Sequence, residues 1–211
     1  MSSSYSSTAY LFDSVQACKS FARNEKHDYP ASTYSQILDI AAERFYGYDS
    51  FSLLKAEYRK KVDNAVVVSE NGSAKCPICE LLFSPQDRSD VNEHRKIHER
   101  FDAYYIATSY APAGYAERES LKTNAHKLLQ NEDTDAEVRH WEIILRSWFD
   151  RSLSSAIRGG FGLKHPEYEE YCSMLVSSLS PKPACINRLI EKFGTQPGVI
   201  PTGQTYWSLK R

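Results

Sequence analysis

Cys76 and Cys79 are separated by two residues, and His94 and His98, further along the chain, are separated by three. A Cys-x2-Cys turn sets two thiolates on one side of an ion. Histidines four positions apart share a helix face and supply the other side. Two sulfurs and two imidazole nitrogens are a donor set for tetrahedral zinc, which imposes no geometry of its own. With all four positions filled by protein, no position remains for water, so the spacing predicts one structural Zn2+ and no catalytic one. The flanking residues fit a small ββα unit. Phe83 and Val91 are apolar where such a unit keeps its core, and Asp90-x-x-Glu93 reads as a capping box opening the histidine helix. A hairpin and one helix have little core of their own, and metal binding in such motifs contributes about 10–16 kcal/mol near neutral pH.

Ser7 or Thr8 caps a first helix ending near His27, with Leu11, Val15, Cys18 and Ala22 at helical spacing beside Phe12 and Phe21. Ser32 or Thr33 starts a second helix carrying Tyr34, Ile37, Leu38, Ala41 and Phe45, closed by Gly47. Asp49 or Ser50 caps a third, with Phe51, Leu54, Tyr58 and Val62 on one face. Val66 to Val68 is a short β run, and Asn71-Gly72 is a hairpin signal leading through Ala74 and Lys75 into Cys76. The histidine helix continues past Phe101, Tyr104 and Tyr105 until Pro112, Ala113 and Gly114 break it.

Beyond that break, a helix from Tyr115 to Gln130 carries Leu121, Ala125, Leu128 and Leu129, with Asn131, Glu132 and Asp133 as a turn. Thr134-x-x-Glu137 reads as a second capping box before the strongest helix, whose face holds Val138, Trp141, Leu145, Trp148, Phe149, Leu153 and Ala156 and which Gly159 and Gly160 end. Pro166 suits a first helical position before a helix running to Leu179, and a last helix spans 184–193, closed by Gly194. The tail holds one or two extended pieces, with Trp207 tucked against the helical core. The fold class is mainly α, with helical modules flanking one ββα Cys2His2 zinc finger. The expected parts are an N-terminal helical module over 1–65, the finger with an extended helix over 66–110, and a C-terminal helical bundle with an irregular tail over 111–211.

Composition limits the function. A formal net charge of -1 excludes a broadly basic nucleic-acid binder, so any such contact needs a local patch. Five cysteines, two of them in the metal motif, leave Cys18, Cys172 and Cys185, an odd and widely spaced remainder that does not form a disulfide framework. Thiolate ligands call for reducing conditions, so the expected location is intracellular, cytoplasmic if the chain is bacterial or from a phage. No run approaches the roughly 20 apolar residues of a membrane helix, and the Ser-rich start lacks the pattern of a secretory signal.

The stretch CPICELLFSPQDRSDVNEHRKIHERF resembles the zinc finger of the sister-chromatid cohesion acetyltransferases, through Cys76, Cys79, Phe83, Ser84, Asp90, His94, His98, Arg100 and Phe101. In that family the finger is an accessory element, so the resemblance implies a structural unit without importing acetyl transfer. An acetyltransferase of that kind would carry an Arg/Gln-x-x-Gly-x-Gly/Ala loop. Here Arg158, Gly159, Gly160, Phe161 and Gly162 place the glycines at other offsets. The segment SQILDIAAERFYGYDSFSLLKA resembles a helical module at the N-terminus of some bacterial plasmid-borne and glyoxalase-related proteins, through Ser35, Leu38, Ala41, Gly47, Tyr48, Ser50, Phe51 and Leu54, with Phe51 where Trp is more usual. That resemblance implies a small fold of bacterial or mobile-element origin and no activity.

Fourteen residues separate Cys79 from His94, against about twelve in a DNA-reading finger. Lys75, Arg88, Arg95, Lys96 and Arg100 are balanced by Glu80, Asp87, Asp90, Glu93 and Glu99. A lone neutral finger, covering about 3 base pairs, reads as scaffold or protein contact. Phosphate-facing surfaces are then sought elsewhere: at Lys55, Arg59, Lys60 and Lys61, or at Arg139, Arg146, Arg151 and Arg158 with Lys164 and His165 nearby. Each is also what a solvated helix face carries. Glu167, Glu169 and Glu170 beside His165 suit a helix N-terminus better than acid–base chemistry. The expected function is a non-enzymatic zinc-finger accessory or regulatory protein that binds a macromolecule, through basic patches outside the finger if that is nucleic acid. The alternative is a protein–protein adaptor in which the finger is a structural staple. The third reading is an enzyme with an unrecognised site.

Overall fold

The structure is a computed structural model that describes residues 14–129, 133–199, 207 and 208. The protein is mainly helical, with one small three-stranded antiparallel sheet. The chain divides into two compact units, Met1–Ala111 and Pro112–Arg211. The boundary expected at residue 65 therefore falls inside the first unit.

In the first unit, α1 spans Ser14–Asn24, α2 Tyr34–Tyr46 and α3 Phe51–Asn64. Each start follows from a local side chain. The Thr33 hydroxyl accepts from Gln36 N–H while the Gln36 side chain accepts from Thr33 N–H, a reciprocal cap. Ser50 Oγ caps α3 by accepting from Leu53 N–H. Gly47, at φ 70°, ends α2 in the left-handed region that a Cβ disfavours. The three helices bury Cys18, Ala22, Ile37, Leu38, Ala41, Ala42 and Leu54 as one core. A second cluster of Val15, Tyr58 and Val62 lies beside it. Helix α1 ends three residues before His27, in a turn where Asp28 N–H bonds Glu25 O. The cap expected at Ser7 or Thr8, with Leu11 and Phe12, lies outside the described residues.

Strands β1 (Val67–Val68), β2 (Ala74–Lys75) and β3 (Leu82–Phe83) form the sheet in that order. Their register aligns Val67, Lys75 and Leu82 in one row and Val68, Ala74 and Phe83 in the next. Helix α4 follows, from Arg88 to Thr108.

In the second unit, α5 spans Tyr115–Leu128 and packs on the long α6, Thr134–Arg158. Helices α7 (Tyr168–Leu175) and α8 (Pro183–Phe193) complete it, with a two-stranded ladder of β4 (Gly198–Val199) and β5 (Trp207–Ser208). Helix α6 is buried over most of its circumference. Ile144, Leu145, Phe149, Leu153, Ala156 and Ile157 are buried, and so are Ser147, Asp150, Ser152 and Ser154.

Several sequence expectations are corrected here. The cap of α6 is Asp133, whose carboxylate accepts from Ala136 N–H, so Thr134 is already helical. Glu137 does not close a capping box. It is buried and accepts from Lys182 N–H at the start of α8. Pro166 lies two residues ahead of α7, and that helix tightens into a 3-10 turn after Leu175 instead of running to Leu179. On α5 the inward residues are Arg118 and Ala125, while Leu121 and Leu128 are about half exposed. Arg118 is drawn inward because its guanidinium donates to Ala113 O, and Ala113 N–H in turn donates to the buried Asp150 carboxylate. Gln130, the turn at Asn131 and Glu132, and the side chain of Trp207 lie outside the described residues. Among the described residues no helix is long and apolar enough to cross a membrane.

Candidate metal centre

Cys76 and Cys79 are positioned by backbone geometry. Gly72, at φ 81°, turns the chain between β1 and β2, with its N–H bonded to Ser69 O and the Asn71 side chain accepting from Ser73 N–H. β2 leads straight into Cys76. After it the chain folds back: Glu80 N–H donates to Cys76 O at 2.9 Å, and Cys76 N–H donates to Leu81 O at 3.0 Å. Glu80 takes φ 62° to close this knuckle, a left-handed conformation uncommon for a residue with a Cβ. The turn leaves both sulfurs within 4.8 Å of each other.

His94 and His98 come from α4. Its cap is Asp87, which accepts from Ser89 N–H, and not Asp90 as the capping-box reading has it. Asp90 instead accepts from Ser84 N–H at 2.9 Å and ties the strand end to the first turn of the helix. The four ligand atoms, one from each of Cys76, Cys79, His94 and His98, lie within 4.8 Å of one another, and all four residues are buried. The group can hold one metal ion. Bonds of about 2.0–2.3 Å to a central ion would set such atoms roughly 3.3–3.8 Å apart, so closure needs movements of about an ångström.

Three further observations fit an ion. Both ring nitrogens of His94 are buried without a hydrogen-bond partner, which costs about 1–3 kcal/mol per group unless something else satisfies them. The His94 ring is held by stacking on Phe83, at 4.6 Å between centroids, and by edge contact with His98, at 4.7 Å. The Cys76 thiol is held far below its ordinary range, to about 2, by the adjoining Cys79 thiol first and then by the neighbouring His94 and His98 rings, against the opposing effect of burial. Val91 is only half-buried. Ile97 takes the core position beside the two cysteines, with Val66, Ile78, Leu81 and Phe101 around it.

Helix α4 is not a free helix. Its Arg95, Glu99 and Asp102 side chains share one face and all engage the helical module. Arg95 forks onto the Asp63 carboxylate of α3, Glu99 accepts from Lys19 of α1 at 3.1 Å, and Asp102 accepts from the buried Tyr58 hydroxyl of α3 at 2.5 Å. Ile78, between the two cysteines, packs on the Val15, Tyr58 and Val62 cluster as well as on the cysteines themselves. In DNA-reading fingers the bases are contacted from positions −1, 3 and 6 of the helix. With Arg88 as the first helical residue these positions are Asp87, Asp90 and Glu93. Three carboxylates there oppose the approach of phosphate, and Glu93 also draws in Lys96 at 3.8 Å and Arg100 at 3.5 Å.

The other sequence candidates separate into two groups. On α3, Arg59, Lys60 and Lys61 are exposed and Lys55 is half-buried, and none of the four forms an ion pair among the described residues. On α6, Arg139 and Arg151 are exposed and Arg158 is half-buried, but the Arg146 guanidinium lies 3.4 Å from the centre of the Tyr168 ring and 5.7 Å from that of Phe149. Arg146 is thus packed on aromatic faces instead of being presented to solvent.

One pair has no signal in the sequence. Ser152 donates to His165 Nε2 at 2.8 Å, and His165 Nδ1 donates to Pro166 O at 2.9 Å. That is the hydrogen-bond order of a nucleophile and its base. Both residues are buried, however, and His165 is stacked on Tyr171 and edged by Phe149. The pair pins the chain that follows α6 back onto it. The remaining thiols are also buried: burial pushes Cys18 and Cys185 up to about 11 and Cys172 up to about 12, the inert range. Comparison with protein-family models, with curated proteins and with solved structures returns no match.

Proposed function

We propose that Cys76, Cys79, His94 and His98 hold one structural Zn2+, that residues 67–108 form a ββα Cys2His2 finger, and that the protein is a non-enzymatic accessory or regulatory protein acting by binding. The observation that carries this reading is the closed, buried donor set, with the unpartnered nitrogens of His94 at its centre. Bound there, the ion supplies cross-linking and no reactive position, because four protein ligands complete a tetrahedron. The residues around it hold the finger to its module: Asp63, Tyr58 and Lys19 fix the helix that carries the histidines, and Ile78 seats the knuckle on α1 and α3. The finger is therefore a staple, and its base-reading positions are acidic. The macromolecule is bound on surfaces that the staple positions.

An adaptor that contacts only protein is the second reading. Val67, Val68 and Leu82 are each more than half exposed on the small sheet, on its two edge strands β1 and β3. The two readings part on binding to nucleic acid that weakens steeply with salt. The zinc reading is tested by metal analysis of protein purified without added metal. One equivalent supports it. Much less than one, or a His94→Ala variant that melts like the parent, contradicts it.

A further inference from the structure

The cations of the first unit are used very unevenly. On α4, Arg95, Lys96 and Arg100 are each in an ion pair within the protein. On α3, Lys55, Arg59, Lys60 and Lys61 have none among the described residues. The opposite face of α3 is fully engaged, with Leu54, Tyr58 and Val62 buried against α1, α2 and the knuckle. Successive residues of a helix are turned by about 100°. From the buried line through Tyr58, Lys60 therefore points straight outward, Lys55 and Arg59 lie on one flank, and Lys61 lies on the other. Between the flanks are Ser52, Leu53, Ala56 and Asn64, all exposed and none of them bulkier than leucine, together with Asp63, whose carboxylate is taken by Arg95, while the half-buried Glu57 shares the flank of Lys61. With Asp63 taken by Arg95, four cations stand against the single carboxylate of Glu57, and a helix with cations on both shoulders and a narrow crest fits a groove with phosphates on both walls.

We infer that α3 is a nucleic-acid-facing helix and that its ligand is duplex DNA, with Arg59 and Lys61 reaching the phosphates of the two groove walls, Lys55 supporting Arg59, and Lys60 directed at the groove floor. The major groove of B-form DNA is wide enough to admit a helix, whereas that of A-form RNA is too deep and narrow. The inference rests on the staple reading above, since the Asp63–Arg95 and Tyr58–Asp102 bonds set which face of α3 points outward. It relocates recognition from the finger helix, whose reading positions are carboxylates, to the helix that the finger supports.

The experiment is fluorescence anisotropy with the full chain and a labelled duplex of about 20 base pairs, titrated from low to moderate salt, with zinc content measured on the same sample. RNA of the same sequence and polyglutamate serve as competitors. The expected result is binding in the micromolar range for a non-specific duplex, with log K falling against log salt at a slope of up to about −2.7 for three neutralised phosphates. A Lys61→Ala variant should lower that slope by about 1. The triple variant Arg59→Ala, Lys60→Ala, Lys61→Ala, all exposed positions, should lose at least tenfold in affinity with unchanged zinc content and helicity. Arg88→Ala, on the finger helix, should change binding less than twofold. Triple-variant binding equal to the parent overturns the inference, as does RNA binding equal to DNA or equal competition by polyglutamate per charge. One equivalent of zinc with no duplex binding overturns it and leaves the staple standing. Duplex binding without zinc supports the helix and overturns the staple, and neither zinc nor binding overturns both.

Discussion

Replacing Tyr58 by Phe removes one oxygen from the contact between α3 and the helix that carries the histidines. The Tyr58 hydroxyl donates to Asp102 at 2.5 Å, with both residues at most 5% exposed. A hydrogen bond to a charged acceptor contributes about 1.5–3 kcal/mol, and the carboxylate left behind gains no water in compensation. The ring stays on Val15 and Val62, so there is no cavity term. The expected loss is therefore about 1.5–3 kcal/mol from the first unit. The assay can isolate that unit, because Trp141, Trp148 and Trp207 all lie in the second. Denaturation followed by zinc release to a colorimetric chelator reads the first unit, and tryptophan fluorescence reads the second. The zinc-release midpoint should fall while the fluorescence midpoint stays in place. A cycle with Asp102→Asn should show that the two substitutions do not add. A zinc-release curve that shifts by less than about 0.5 kcal/mol, the scale of a neutral surface substitution, would refute the claim that this bond fastens the histidine helix to its module.

Other outcomes follow from the same contacts. Ser152→Ala leaves His165 Nε2 without the hydroxyl it accepts from. It should cost about 1–3 kcal/mol, read by tryptophan fluorescence, and an unchanged midpoint would show that the pair holds nothing. Native zinc-loaded protein should show no fast-reacting thiol toward a disulfide reagent at pH 8, since burial raises Cys18, Cys172 and Cys185. After chelation Cys76 and Cys79 should react first. Tyr58 is pushed above its ordinary value by burial and by Asp102. Folding then keeps a proton that the unfolded chain releases, so its contribution is intact below about pH 10 and is lost as pH rises further. The first unit should weaken in that alkaline range, and Tyr58→Phe should remove the slope.

What could be read in the sequence was local. The caps of α2 and α3, each narrowed in the sequence to two adjacent residues and found at Thr33 and Ser50, the left-handed Gly47 and the Asn71-Gly72 turn each depend on atoms within a few residues, so the sequence pattern and the structure agree on them. The convergence of Cys76, Cys79, His94 and His98 into one buried group was legible for the same reason, since a knuckle and one helix turn contain all of it. Capping failed where a second acid stood nearby. Asp87 and Asp133 took the positions assigned to Asp90 and Thr134, which freed Asp90 for Ser84 and Glu137 for Lys182. Helix faces failed where a distant group overruled periodicity. The Ala113 carbonyl draws Arg118 inward and leaves Leu121 and Leu128 half exposed, and the Tyr168 ring takes Arg146 from what read as a phosphate-facing row. The Ser152–His165 pair and the double role of Ile78 depend on chain reversal and on the docking of the knuckle on α1 and α3, which no spacing rule encodes.

The central claim is a closed metal site made by four named side chains. X-ray absorption at the zinc edge on protein as purified tests it most directly. The account predicts one equivalent of zinc with two sulfur neighbours at about 2.3 Å and two nitrogen neighbours at about 2.0–2.1 Å, with no oxygen shell. One sulfur fewer, an oxygen from water in the first shell, or an absent zinc edge would contradict it.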